Sequence, residues 1–456
     1  MYASRIVPHR VERWPMKEQL LDKIRKAGVI GAGGAGFPTH VKLDCSPDTV
    51  IANCAECEPI IKSDKYLMEE YADEIVSGME SVLFITGASR AVIAVKHKNQ
   101  KAVEKLKLAM QGKKKISLHL LDNYYPAGDE QQIIYEVTKR VIPVGDIPIK
   151  AGCVVLNAQT LYHISQAVEK QPVTGRMVTV AGEVQSPVTA MVPIGTPVSY
   201  LLELAGGMAV KDYAMILGGP LMGRVSRHPE QEVVTKTTNG IIILPSEHML
   251  VQKKTDDFDH QLKIAKAACC QCNYCTLICP RSNLGLGVQP HKIMQALTLH
   301  NAGQLADGQA ALGCCNCGLC TYVGCNMGLS PGRFVTAVRQ ELLAKKVKST
   351  QKPGTVNVFR NESKVPSKRL IQRMGLTPYD VDIRYAGVME TPGMVRILLK
   401  QHIGAPCVPA VAEGDVVEAG QCIGSMKDGS LGADIHASLK GTVTAVNSEY
   451  IEISKG

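Results

Sequence analysis

The order of hydrophobic and polar positions divides the chain into regions of different periodicity. Between residues 49 and about 170, short apolar runs alternate with segments whose apolar residues recur every three or four positions. This alternation predicts an α/β domain with a largely parallel sheet. The predicted strands are TVIAN, AVIAVKH, KISLHLL and CVVLN, and the predicted helices cover 17–27, 64–86, 100–112, 130–139 and 159–170.

Beyond residue 172 the pattern changes several times. Residues 176–245 contain a hairpin pattern, a short helix and a further strand, which predicts a small β-grasp fold. Helical periodicity returns at 258–268, 290–300 and 331–346. The predicted organisation is a flexible extension (1–16), an α/β domain (17–172), a β-grasp domain (173–250), a helical ferredoxin-like domain (251–348), a linker (349–392) and an all-β barrel-sandwich module (393–456). Within the linker, a short helix is predicted near 367–374.

Composition narrows the class of protein. The 456 residues are 45% hydrophobic, but no apolar stretch approaches the length of a membrane span. The net charge of +9 is spread along the chain and aromatic residues are only 4%, so nucleic-acid binding is not expected. Sixteen cysteines in so long a chain do not indicate a disulfide scaffold, and a reducing, cytoplasmic location is predicted.

Eight of these cysteines form two motifs that indicate metal chemistry. The first is the C-x2-C-x2-C-x3-C-P run of bacterial cluster-binding proteins, and the second repeats it with one residue added and Asn326 in place of the proline. Zinc sites typically use two pairs of ligands, so three evenly spaced cysteines plus a fourth favour two [4Fe–4S] clusters over zinc. Because the fourth cysteine of such a run usually reaches the other cluster, the predicted ligand sets are Cys269, Cys272, Cys275 and Cys325 for one, and Cys314, Cys317, Cys320 and Cys279 for the other.

A glycine-rich loop near the N-terminus indicates a phosphate site. Gly31, Gly33 and Gly36 satisfy the dinucleotide fingerprint literally, but a helix precedes the loop and Phe37-Pro38 follows it, so a Rossmann fold is not predicted. Glycines still allow backbone N–H groups to approach an anionic phosphate closely.

GAGGAGFPTHVK, followed by NCAECEP, resembles a flavin domain shared by three groups of proteins. These are the flavin subunit of respiratory complex I, the C subunit of Rnf complexes, and the cobalamin reductases of propanediol-utilising microcompartments. YPAGDE (125–130), NAQT (157–160) and GGPLMG (218–223) extend the resemblance. The order of flavin domain, β-grasp, two clusters and C-terminal sandwich is similar to that of the cobalamin reductases, over nearly the whole chain from about residue 17.

The resemblance implies roles for individual residues of the first domain. Those expected to line FMN are Gly31, Gly33, Gly34, Lys42, Asn53, Glu56, Gly128, Asp129, Asn157 and Thr160. Phe37, Glu58 and Glu130 are expected to face the nicotinamide nucleotide. Ala32 and Ala55 depart from the complex I pattern and weaken the case for NADH more than the case for FMN. Cys270 and Cys315, beside cluster ligands, are predicted to be bystander thiols, with substitution as a cluster ligand or oxidation as the alternatives.

The implied function is an oxidoreductase that passes electrons from NADH to FMN, to two [4Fe–4S] clusters and to a corrinoid. Flavin belongs between hydride donor and clusters because it exchanges electrons both in pairs and singly. The implied partners are cobalamin, an adenosyltransferase and shell proteins, inside a bacterial microcompartment. Alternatives are a soluble Rnf-like protein that reduces ferredoxin or another protein, and a non-catalytic electron relay. Modification of Lys427, in a hairpin reminiscent of biotin domains, is not expected because the next strand follows too far on.

Overall fold

The computed structural model describes residues 16–299, 302–427 and 429–456. The predicted N-terminal extension, 1–16, lies outside these residues except for Met16. Among the helices in the described ranges, none is long and apolar enough to cross a membrane.

The first domain is built on a four-stranded parallel sheet. Its elements are β1 (Thr49–Cys54), β2 (Arg90–Lys96), β3 (Ile116–Leu121), β4 (Tyr124–Tyr125), β5 (Cys153–Asn157), α1 (Lys17–Lys26), α2 (Thr39–Leu43), α3 (Ser63–Glu70), α4 (Ala72–Thr86), α5 (Gln100–Ala109), α6 (Glu130–Thr138) and α7 (Ala158–Val168), with a 3-10 turn at Pro148–Ala151. The strand order β3-β2-β1-β5 confirms the predicted parallel sheet. The single helix predicted over 64–86 is instead two helices, because the backbone leaves the helical conformation at Tyr71.

Alternate residues of β1 enter opposite halves of the core, which explains why its central residues are all apolar. Val50 and Ala52 pack into the cluster formed with α1, α4 and α7. Ile51 packs into the cluster formed with α6. A parallel strand covered on both faces needs apolar side chains on both faces, as Val50, Ile51 and Ala52 show. The carboxyl ends of these strands carry the polar residues of the candidate site.

The second domain is a mixed sheet with one helix. Its elements are β6 (Gly175–Gly182), β7 (Val188–Pro193), α8 (Val198–Leu204), β8 (Tyr213–Leu217), β9 (Arg224–Ser226) and β10 (Gly240–Pro245). The predicted hairpin is the antiparallel pair β6–β7, and β10 pairs parallel with β6. The side chains of Val198 and Leu201 on α8 pack against the apolar face of this sheet.

The third region is helical, as predicted, around two cysteine loops. Its helices are α9 (Met249–Thr255), α10 (Phe258–Ala268), α11 (Tyr274–Leu277), α12 (Pro280–Asn283), α13 (Pro290–Thr298), α14 (Leu319–Tyr322) and α15 (Pro331–Ala344), with a 3-10 segment at Ala302–Gly313. The predicted helices 258–268, 290–300 and 331–346 correspond to α10, α13 and α15. Pro290 and Pro331 begin two of them, where the missing N–H of proline has no intrahelical partner to lose.

The second half of the predicted linker, 349–392, contains the short helix expected near 367–374 and, contrary to the prediction, two paired strands. Its elements are β11 (Val365–Pro366), α16 (Ser367–Arg373), a 3-10 turn at Thr377–Tyr379 and β12 (Arg384–Val388). β11 pairs with β4 of the first domain, and β12 pairs with β7 of the second. Apolar residues widely spaced in a Pro- and Lys-rich stretch, among them Val365, Leu370 and Ile383, are buried in a shared core. The segment therefore connects the first and second domains through strand pairing and a shared core.

The C-terminal module consists of two small antiparallel sheets that close on one apolar core. Its strands are β13 (Met394–Leu398), β14 (Val408–Pro409), β15 (Val416–Val417), β16 (Cys422–Ser425), β17 (Ile435–His436), β18 (Gly441–Val446) and β19 (Tyr450–Lys455). Buried Lys236 of the second domain joins the module to the first domain, because its ammonium donates to the carbonyl oxygens of Gly28 (2.7 Å) and Asp434 (2.6 Å). The backbone N–H of Ile403 also donates to the carbonyl of Gly36, in the glycine loop.

A buried ion-pair network holds the first half of the segment 349–392 to α6. The carboxylate of Glu136 lies 2.8 Å from the Arg360 guanidinium and 3.0 Å from the Lys364 ammonium. Burial alone would raise the pKa of Glu136, but the hydrogen bonds and charges of Arg360 and Lys364 outweigh it and lower the pKa to about 2.

This network predicts a pH-dependent stability. Because the folded-state pKa of Glu136 lies below its unfolded value, its stabilisation is fully present above about pH 5 and is lost as the pH falls towards 2. We expect Glu136→Gln to lower the free energy of unfolding at pH 7 by on the order of 2 kcal/mol, with a smaller loss at pH 4. Urea unfolding followed by circular dichroism at both pH values measures this. Glu341→Gln, which removes an exposed pair with Lys345, is the control; equal behaviour of the two variants would contradict the assignment.

Candidate functional site

A cavity of about 460 Å³ lies at the carboxyl edge of the parallel sheet, where β1 and β5 end side by side. The thirteen residues predicted from the sequence to contact FMN or the nucleotide all line it: Gly31, Gly33, Gly34, Phe37, Lys42, Asn53, Glu56, Glu58, Gly128, Asp129, Glu130, Asn157 and Thr160. Arg176 and Met222 of the second domain, and Cys315 and Cys317 of the second cysteine loop, line it as well. Three regions of the chain therefore meet at one cavity.

The glycine loop is held in place by the start of α7. The backbone N–H of Ala32 donates to the Thr160 hydroxyl at 2.9 Å, and the side chain of Asn157 caps the helix by accepting from the Gln159 N–H. A Cβ at Gly33 would lie only 3.0 Å from the Asn157 side chain. Gly33 is thus required for the close packing of the loop, and the loop presents bare backbone to the cavity.

Asn53 in the last part of β1 and Cys57 just after this strand position the loop around Gly128. The Asn53 side-chain amide donates to the Gly128 carbonyl at 2.8 Å, and the Cys57 sulfur accepts from the Gly128 N–H at 2.9 Å. A Cβ at Gly128 would lie 2.9 Å from the Asn53 side-chain oxygen. Cys57 therefore acts as a hydrogen-bond acceptor in this loop.

A partly buried acidic pair lies on another wall. The Glu56 carboxylate accepts from the Asp64 backbone N–H at 2.7 Å, and Asn157 donates to the Asp64 carboxylate at 2.9 Å. Burial raises the pKa of both carboxyls, and the charge of Asp64 raises that of Glu56 further. Arg176 is buried nearby, and its guanidinium donates to the carbonyl of Ala32 at 2.9 Å. Sequence analysis missed Asp64 and Arg176 because neither belongs to a recognised motif.

Glu58 has a structural partner that the sequence did not predict. Its carboxylate accepts from the backbone N–H of Leu221 at 2.9 Å, within GGPLMG, and burial raises its pKa to about 7. A Cβ at Gly219 would collide with this carboxylate. Glu58 therefore anchors the GGPLMG loop, which leaves Met222 exposed at the cavity.

The remaining predicted nucleotide-facing residues are accessible to solvent. The Lys42 ammonium lies 3.2 Å from the Glu130 carboxylate, and both side chains are partly exposed. Phe37 is also among the exposed large hydrophobic residues. These groups are available to a ligand that enters from outside.

Asp129 connects the cavity to the cysteine loops through a bidentate ion pair. The Arg281 guanidinium donates to both of its carboxylate oxygens, at 2.9 and 2.5 Å, and to the carbonyl of Gly313 at 3.2 Å. Both side chains are nearly buried, at 12% and 8% exposed. Arg281 follows Cys279-Pro280, and Gly313 precedes Cys314. One carboxylate thus fixes both cysteine loops against the cavity.

The two cysteine loops share a backbone conformation. Gln271 and Asn273 have positive φ, as do Asn316 and Gly318 at the corresponding positions of the second loop. Left-handed residues at every second position turn the chain tightly, which lets cysteines at i, i+3 and i+6 face a common centre. A Cβ at Gly324 would lie 2.9 Å from the Cα of Cys275 and 3.1 Å from the Cα of Cys320, so glycine permits the loops to approach each other.

Electrostatic neighbours show which cysteines of the two loops lie close together. Burial raises the pKa of Cys275 to about 12, and the sulfurs that add to this effect are those of Cys325, Cys272 and Cys269. Burial likewise raises the pKa of Cys320, with added effects from Cys314, Cys279 and Cys275, and Cys279 is also a neighbour of Cys317. Each loop therefore has the fourth cysteine of the other run among its neighbours, and Cys275 and Cys320 lie where the two loops meet. In the described residues, no three or more His, Cys, Asp or Glu side chains are arranged to hold a single metal ion.

Comparison with known protein families identifies a matching domain for each of these regions. Residues 24–166 match the Nuo51 FMN-binding domain, 177–225 the SLBB domain, 268–330 the 4Fe-4S dicluster domain and 384–456 the RnfC barrel sandwich hybrid domain. The chain is 38% identical over 443 residues to the cobalamin reductase PduS of Citrobacter freundii, covering 96% of this chain and 97% of that protein. The chain belongs to the PduS family.

More distant relatives share part of the architecture. The C subunit of the ion-translocating oxidoreductase complex of Edwardsiella ictaluri is 35% identical over 57% of this chain and 32% of its own length. A solved NAD+-reducing [NiFe]-hydrogenase has a TM-score of 0.46 and 18% identity, covering 74% of this chain and 64% of that one. The PduS family, the FMN-binding domain and the 4Fe-4S dicluster domain confirm the recognition and the cofactor classes predicted from the sequence.

The pair Asp129–Arg281 predicts a strong effect of single substitution in this PduS relative. Arg281→Met leaves the Asp129 carboxylate buried without its partner, which typically costs about 3–5 kcal/mol. We expect a lower midpoint of thermal unfolding, with partial recovery in the double variant Arg281→Met/Asp129→Asn. Differential scanning calorimetry measures both. Arg369→Met, at an exposed arginine, is the matched control; an Arg281 variant as stable as this control would refute the account.

Proposed function

We propose that this protein is a cobalamin reductase that takes electrons from NADH through FMN and two [4Fe–4S] clusters to a corrinoid. The observation that carries the proposal is the wall that the flavin-type cavity shares with the second cysteine loop, at Cys315 and Cys317. This wall joins the matched FMN-binding and dicluster domains directly. The terminal acceptor is inferred from the activity named for the PduS relative.

The cavity has the chemistry that FMN requires. Gly33 and Gly34 offer backbone N–H groups without side chains, and Lys42 supplies a positive charge for the phosphate. Asn53, Asn157 and Thr160 place polar groups on the remaining walls. A cavity of this size is in the usual range for cofactor sites. Bound FMN supplies the conversion between a two-electron hydride donor and one-electron acceptors.

We assign positioning roles to the surrounding residues of the chain. Glu58 orients the GGPLMG loop over the cavity, and Glu130 and Phe37 border the opening where a nicotinamide nucleotide enters. Asp129 and Arg281 keep the cysteine loops beside the flavin. The cluster ligands are proposed to be Cys269, Cys272, Cys275 and Cys325 on one side, and Cys279, Cys314, Cys317 and Cys320 on the side nearer the cavity.

The domain bounds, the protein partners and the cellular location are part of the same proposal. The functional units are residues 17–172, 173–250, 251–348 and 393–456, joined by the packed segment 349–392. An adenosyltransferase and microcompartment shell proteins are the proposed protein partners, and the interior of a microcompartment is the proposed location. Co-purification of tagged full-length protein with these partners, against a tagged control protein, tests both.

The proposed reaction predicts a defined order of absorbance changes. Anaerobic, FMN-loaded and cluster-reconstituted protein should lose its flavin and cluster absorbance when NADH is added. Aquacobalamin added afterwards should be converted catalytically from the cob(III)alamin to the cob(II)alamin spectrum. Bleaching without an effect on cobalamin would point to a protein acceptor such as ferredoxin. No bleaching with NADH would refute the nucleotide site and favour an electron relay.

The exchanged fourth cysteine predicts which cluster is lost on substitution. Cys279→Ser should reduce the bound iron by about half and selectively remove the signal of the cluster held with Cys314, Cys317 and Cys320. Iron analysis and electron paramagnetic resonance of the reduced protein measure this. Cys270→Ser, at the exposed neighbouring thiol, should retain both clusters. Loss of the other cluster in the Cys279 variant would reverse the assignment.

A further inference from the structure

A second cavity, of about 290 Å³, lies beside the first along the same edge of the sheet. The two cavities share Glu56, Cys57, Glu58 and Ile61 as a common wall. The rest of the second cavity is lined by the connection between β1 and α3, by residues at and after the ends of β2 and β3, and by α3, α16 and Asp380. The carboxyl edge of a parallel sheet is where α/β proteins usually bind ligands.

Two buried donors line this second cavity, and one of them has no partner. Lys96 is 1% exposed and carries an ammonium group. Asn99 is 8% exposed, and its side-chain nitrogen has no hydrogen-bond partner in the described part of the chain. Buried polar groups in native proteins are normally paired, and a buried charge is costly without a partner. The Asn99 amide therefore lacks the acceptor that an anion would supply, and the Lys96 ammonium would be stabilised by the same anion.

The charges around the cavity favour an anion. Lys62, Lys65, Lys98 and Lys368 also line it. Of the acidic residues in the lining, Asp380 lies 3.9 Å from Lys62. Glu56 and Glu58 already accept backbone hydrogen bonds from Asp64 and Leu221. The lysines in the lining outnumber its acidic residues by five to three.

The N-terminus of α5, which begins directly after the lining residue Asn99, is a further feature that attracts an anion. Lys96 ends β2, and α5 begins at Gln100 directly after Asn99. The Asn99 side chain forms no capping hydrogen bond with this ten-residue helix. The first N–H groups of a helix lack intrahelical acceptors and carry partial positive charge. A strand, a short connection and a helix N-terminus form a common arrangement for phosphate groups.

We propose that this second cavity binds the phosphate group of an anionic ligand, with the Lys96 ammonium and the Asn99 amide as its buried donors. Lys98 and Lys368 supply additional positive charge at the surface. The ligand is either free inorganic phosphate or a phosphorylated metabolite. The site is separate from the glycine loop and Lys42, where the FMN phosphate is placed.

Calorimetric titration of FMN-loaded, cluster-reconstituted protein with inorganic phosphate tests the proposal, because FMN already occupies the glycine-loop site. At constant ionic strength, we expect one saturable site. Lys96→Met should weaken phosphate binding by about tenfold or more, since a charge-assisted hydrogen bond is lost. Lys105→Met, at an exposed lysine of α5, should bind phosphate as the unmodified protein does.

A second variant distinguishes a lost phosphate site from misfolding of the Lys96→Met variant. Asn99→Asp keeps a good helix-capping residue but replaces the donor by a carboxylate, so it should abolish phosphate binding while preserving the fold. No saturable binding in the unmodified protein, or unchanged affinity in both variants, would overturn the proposal. Competition with NADH identifies the source of the phosphate: mutual exclusion assigns the site to the dinucleotide, and independent binding assigns it to a separate phosphate ligand.

Discussion

The bidentate pair between Asp129 and Arg281 is the constraint on which the arrangement of the site depends. Asp129 caps α6 beside the cavity, and Arg281 follows the proline that ends the first cysteine run. Because both groups are nearly buried, the pair tolerates little movement between the flavin domain and the cysteine loops. The same arginine also binds the carbonyl before Cys314. The position of the nearer cluster relative to the flavin is thereby set by one interaction.

The rest of the molecule supports this junction with further buried polar contacts. Glu136 binds Arg360 and Lys364, Glu58 binds the loop at Leu221, and Lys236 joins the glycine loop region to the C-terminal module. Each contact links segments that are far apart in the sequence. An electron-transfer protein needs fixed distances between its centres more than it needs mobility. Buried, directional contacts between domains meet that requirement better than apolar packing alone.

The sequence predicted the elements and the cofactor motifs, since both have local signals. The strands TVIAN and CVVLN have continuous apolar centres because they are covered on two faces, and the cysteine spacing identifies the cluster loops. The partners of Asp129, Glu58 and Glu136 could not be predicted, because no local pattern connects residues so distant in sequence. Lys96 lies within the predicted strand AVIAVKH, and only the fold shows it buried beside Asn99. The short helix near 367–374 was predicted, but the strand pairing of 349–392 was missed because its few apolar residues are widely spaced.

The central claim is that the cluster held by Cys279, Cys314, Cys317 and Cys320 lies against the flavin cavity, with the fourth ligand exchanged between the two runs. Iron-edge anomalous diffraction from crystals of the FMN-loaded, reconstituted protein tests it most directly. The account predicts two separate iron clusters, with the one nearer the flavin bonded to Cys279 and held beside the Asp129–Arg281 pair. Iron bonded to Cys279 together with Cys269, Cys272 and Cys275, or a cluster from the first run beside the flavin, would contradict it.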